Sequence, residues 1–68
     1  MNTLSRLNRL IGHTMTAIRK AAGFKRDCLA LVLAWLNRAR YALRKGYELT
    51  YAHNMRCANY YARLAAVA

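Results

Sequence analysis

LRKGYELT, residues 43–50, contains the glycine on which the architecture turns. Gly46 follows Arg44 and Lys45, as a glycine beyond a helix C-terminus does when basic residues occupy the last turn. Against a stop there, no Ser, Thr, Asp or Asn is placed to cap a new helix at Tyr47. The apolar rhythm also crosses Gly46 without changing phase. It runs through Leu29, Leu36, Leu43, Thr50, Cys57 and Leu64, and three residues after each come Val32, Ala39, Gly46, His53, Tyr60 and Val67. Tyr47, Tyr51 and Tyr61 share that stripe. A seven-residue repeat of this kind is the seam of a helix packed along a partner. The spacing therefore predicts one helix over 26–67, bent at Gly46. A glycine inside a helix costs about 1 kcal/mol relative to alanine, and the close helix approach allowed by Ala39 and Gly46 would offset it.

Upstream, residues 3–22 read as a first helix, with Asn2 or Thr3 able to accept a bond from its free amides. Leu4, Leu7, Ile11, Met15, Ile18 and Ala22 fall on one stripe at steps of three or four, and Arg6, Arg9, His13 and Lys20 fall opposite. Gly23 follows as a left-handed cap, with Phe24 set to pack back on the last turn; the turn spans 23–25. Strand signals are poor, since β-branched residues are scattered and alternation is absent. The expected fold is all-α: a single domain over 1–68, a helical hairpin with a short first arm and a long second arm. A break at Gly46 would give a three-helix bundle instead.

In the hairpin, residues 47–68 lack a partner within the chain. The seam of Leu29, Val32, Leu36, Ala39, Leu43, Gly46, Tyr47, Cys57, Tyr61 and Leu64 then predicts a homo-oligomer or a subunit of a larger assembly. A 68-residue chain needs such support, because so short a chain buries only about 60% of its unfolded surface. Two cysteines, Cys28 and Cys57, are too few for a disulfide scaffold and read as free thiols.

Twelve Lys and Arg against Asp27 and Glu48 give a formal charge of +10. A compact chain so charged repels itself, and any bound anion relieves the repulsion. Hydrophobic residues make up 57% of the chain, which excludes disorder as the consequence of that charge. Nine of the cations are arginines, whose planar fork suits phosphate and carboxylate; a GC-rich coding sequence would give the same bias. On a continuous helix Arg38, Lys45, Arg56 and Arg63 lie within about 20° of one another, along a line of about 37 Å. Tyr41, Ala52 and Asn59 flank the line. Cations interleaved with aromatics and amides suit a phosphate backbone. Arg6, Arg9 and Lys20 extend the basic surface onto the first helix. Arg40 leans toward the seam and calls for an acidic partner that this chain lacks.

Catalytic chemistry is not expected. The two acids are far apart in sequence, Ser5 has no helical His or Asp neighbour, and no glycine-rich phosphate loop occurs. No cofactor is expected. His53 and Cys57, one helical turn apart, are the one pair with metal-ligand chemistry, and two ligands fall short of the four of a structural zinc site. The apolar run Cys28 to Leu36 covers about 13 Å of helix, too short to span a bilayer.

The first residues alternate polar and apolar without the apolar core of a signal peptide. Their acid-free, Arg-bearing amphipathicity is shared with mitochondrial transit peptides. The expectation is a non-enzymatic basic helical protein, a viral or mobile-element accessory acting in the cytoplasm or within a virion. It would present Arg and Tyr to nucleic acid or an acidic protein. The alternatives are a small inhibitor of a host protein and an amphipathic protein that binds or disrupts a membrane surface.

Overall fold

The computed structural model describes residues 2–68, and every regular element among them is helical: α1 (Thr3–Lys20), α2 (Gly23–Lys45) and α3 (Glu48–Val67). α1 starts where a short polar side chain can cap it. The Asn2 side-chain oxygen accepts from the Ser5 amide at 2.7 Å. It ends two residues earlier than the spacing predicts, with Ala21 and Ala22 extended. Gly23 does adopt positive φ, 61°, but it opens α2 instead of closing α1. Phe24 is 63% exposed and does not pack back on α1.

The continuous helix expected over 26–67 is replaced by a reversal at Gly46. Gly46 sits in the left-handed region at φ 76°, ψ 22°. Its amide donates to the Leu43 carbonyl at 3.2 Å and the Tyr47 amide to the Ala42 carbonyl at 2.9 Å. This nested pair is the Schellman closure, which uses up carbonyls left free at a helix end. α3 then begins without a side-chain cap. The Tyr47 carbonyl accepts from the Tyr51 amide at 2.8 Å, and Glu48 supplies a negative charge to the first turn. The missing capping residue that argued for continuity is thus not required. A 42-residue helix would be about 63 Å long; the longest extent of the molecule is 35 Å.

α2 is the central element and packs against both α1 and α3. Leu7, Ile11, Val32, Leu36, Ala39 and Ala58 form the core, with Leu33, Trp35, Leu43, Tyr51, Met55 and Tyr61 packed around it. Four alanines (Ala39, Ala42, Ala58 and Ala65) are essentially inaccessible, so the α2–α3 contact is built from small side chains that let the helices approach closely.

The turn moves the seam of the last helix by one residue. Asn54, Ala58 and Ala65 are buried there, whereas the predicted Cys57 and Leu64 are half-buried. Thr50, His53, Tyr60 and Val67 are exposed, as are Gly46 and Tyr47. On α2 the predicted positions hold. Val32, Leu36 and Ala39 are buried, and Leu29 and Leu43 half-buried, but α1 and α3 of the same chain cover them. Residues 48–67, expected to lack a partner within the chain, lie on α2, so an uncovered seam no longer calls for a second subunit.

Candidate functional site

Two cation–aromatic pairs stand on the exposed side of α2. The Arg38 guanidinium carbon lies 4.6 Å from the centre of the Trp35 ring. The Lys45 ammonium lies 5.7 Å from that of Tyr41. Both follow from helical spacing, since residues three and four apart are neighbours on a helix surface. Trp35 is half-buried, with its other contacts in the core and an edge-on packing against His53 at 5.8 Å. The indole therefore has little freedom, and it fixes a platform on which Arg38 rests.

Where α3 folds back, these side chains become one wall of a groove of about 700 Å³. Trp35, Asn37, Arg38 and Tyr41 come from α2, Tyr47 from the turn, and Thr50 and Asn54 from α3. The volume falls within the range typical of ligand pockets. Tyr41 and Tyr47 are 60% and 53% exposed, so two further aromatic faces are open to a ligand. Asn54 is the least exposed of the lining residues, at 5%.

The other basic residues are placed differently from the single line expected of them. At 100° per residue, Arg56 and Arg63 point about 160° and 180° away from the inward-facing Asn54. They belong to the outer face of α3, where Arg63 and Asn59 line a shallow hollow with Ala62 and Ala66. The line of four cations is thus divided by the Gly46 turn. Arg38 and Lys45 stay beside the groove, and Arg56 and Arg63 occupy a second surface. Arg6, Arg9 and Lys20 are exposed on α1. Arg40 needs no outside acid: it donates to the side-chain carbonyls of Asn8 at 3.1 Å and Asn37 at 3.2 Å, tying α1 to α2.

His53 and Cys57 meet as their spacing predicts, with Nε2 and Sγ 3.6 Å apart. Among the described residues no third His, Cys, Asp or Glu joins them. Cys28 is buried, and both thiols are free. No helix among the described residues is long and apolar enough to cross a membrane.

Trp35, Asn37, Thr50 and Asn54 line the groove without having been selected from the sequence as ligand-binding, and Tyr47 was expected on the assembly seam instead. The Trp35–Arg38 and Tyr41–Lys45 spacings were readable as cation–aromatic pairs. Asn54 became visible only with the turn in place, because the continuous-helix phase sets it off the seam. No family model, characterised protein or solved structure matches the chain in sequence or fold.

Proposed function

We propose that this chain is a non-enzymatic nucleic-acid-binding protein whose ligand lies along the groove between α2 and α3. The observation that carries the reading is the platform of Arg38 on Trp35, opening onto Tyr41, Tyr47 and the buried Asn54. Phosphate contacts need cations held in position, and nucleobases need aromatic or guanidinium planes on which to stack. The groove offers both side by side. The formal charge of +10 supplies the long-range attraction, and a bound polyanion relieves the self-repulsion of the fold. The carboxylates of an acidic protein would satisfy the charges but offer no planar ring to stack on the exposed aromatic faces.

Fluorescence anisotropy of a labelled oligonucleotide tests the reading. Binding should weaken steeply between about 50 and 200 mM salt, as condensed counterions are released. Absence of binding at the low end would overturn it. So would equal affinity for an acidic polypeptide such as polyglutamate.

A further inference from the structure

The groove carries more than a charge match. Asn54 is 95% enclosed and lines the groove, and its amide makes no hydrogen bond among the described residues. No side-chain polar atom among the described residues is both sealed from solvent and unpartnered, so an Asn54 amide atom without a partner keeps some access from outside. A buried asparagine ordinarily has its bonds made inside the protein, because a lost partner costs free energy. This one holds an acceptor and two donors at the bottom of an aromatic recess.

Resting on the nucleic-acid reading above, we infer that the groove selects single-stranded nucleic acid. It would receive one unpaired base per chain, the base stacked among Arg38, Tyr41 and Tyr47 and its free edge bonded to Asn54. Every base has a donor beside an acceptor on its pairing edge, which complements an amide. In a duplex that edge is already occupied and its face is stacked within the helix. The phosphates on either side of the base would lie toward Arg38 and Lys45, the two cations held beside the groove. Thr50 adds a hydroxyl to the α3 wall.

The test compares a short single-stranded oligonucleotide, in RNA and DNA forms, with the duplex of the same sequence and with polyglutamate. All are titrated into the full chain at one salt concentration. Single strands should bind roughly tenfold or more tightly than duplex, the gain expected of one stacked and edge-bonded base. They should also quench the fluorescence of Trp35, the sole tryptophan. Asn54→Ala and, separately, the exposed Tyr47→Ala should each lose most of that advantage, weakening single-strand binding severalfold more than duplex binding. Tyr47→Ala serves if Asn54→Ala disturbs the α2–α3 packing.

Single-strand preference in either sugar form, abolished by the variants, supports the inference. Equal binding of single and double strands, or variants that weaken both alike or neither, overturns it while leaving nucleic-acid binding intact. Polyglutamate bound as tightly as single strands, or no binding of either nucleic acid, overturns both readings.

Discussion

Gly46→Ala should be the most informative single substitution in this chain. At φ 76° a non-glycine residue pays the left-handed penalty, about 1–2 kcal/mol. Nothing lies within 4 Å of where the new methyl would sit, so steric collision adds no further cost. Alanine also narrows the unfolded ensemble, which returns about 0.4–1 kcal/mol. The expected net loss of stability is therefore about 1 kcal/mol. The effect on the competing continuous helix is larger. Alanine improves a helix interior by about 1 kcal/mol over glycine, so the balance between reversal and continuation shifts by about 2–3 kcal/mol toward continuation. A chain opened at residue 46 would expose the α2–α3 contact and pair with a second copy by exchanging α3. Urea denaturation followed by circular dichroism measures the first quantity, and light scattering across a concentration series measures the second. A chemically synthesised chain with D-alanine at 46 supplies the control of opposite sign, since its preferred φ is positive. L-Ala should lower the midpoint and D-Ala should not. Equal midpoints for glycine, L-alanine and D-alanine would refute the reasoning, because the reversal would then not depend on the handedness of residue 46.

Further outcomes follow from the core and the groove. Leu7→Ala should cost about 2–5 kcal/mol in denaturant unfolding, because Leu7 is 2% exposed and its site is walled by α2. Ala39→Leu should cost about 1–3 kcal/mol, since a fully buried alanine between close-packed helices leaves no room for a larger side chain. Arg40→Met should cost about 1 kcal/mol by releasing Asn8 and Asn37, read in denaturant unfolding. Arg38→Gln and Lys45→Gln should each lower the salt slope of single-strand binding by about 0.7. Arg56→Gln, on the outer face of α3, should change that slope less than either.

The helical class and the inner faces of α1 and α2 were legible because they rest on local periodicity. Leu7, Ile11, Val32 and Leu36 each sit where a 3.6-residue stripe puts them. The reversal at Gly46 was harder to read because its stabilising bonds are backbone to backbone. The Schellman closure leaves no side-chain signature beyond the glycine itself, and α3 starts with an uncapped tyrosine. The heptad spacing through residues 50, 57 and 64 was misleading for a related reason. Tyr51, Ala58 and Ala65 form a parallel series one residue later, and alanines carry little weight in a hydrophobicity pattern although they make the closest contacts. The groove inherits this dependence. Trp35, Arg38 and Tyr41 are neighbours on one helix and could be foreseen together, whereas their juxtaposition with Tyr47 and Asn54 exists only once the chain has turned.

The cations themselves divide into two kinds, and the division bears on function. Arg19 and Lys20 lie in the last turn of α1, and Arg44 and Lys45 in the last turn of α2. Positive charge there offsets the negative end of the helix dipole, a structural reason that needs no ligand. Arg40 has its own reason in Asn8 and Asn37. Arg38 has neither: it is mid-helix, exposed, and rests on an indole that the core holds in place. A guanidinium at a partly exposed site gains about 0.5–1 kcal/mol from such a contact. A lysine would keep the charge there but lose the planar donor fork suited to phosphate and the plane on which a base can stack. On the nucleic-acid reading proposed above, arginine over that platform serves a phosphate and a stacked base, not solubility, and Arg38→Lys is the substitution that separates the two. It should leave stability and duplex binding nearly unchanged while weakening single-strand binding. Equal loss on both nucleic acids would instead make Arg38 a point charge.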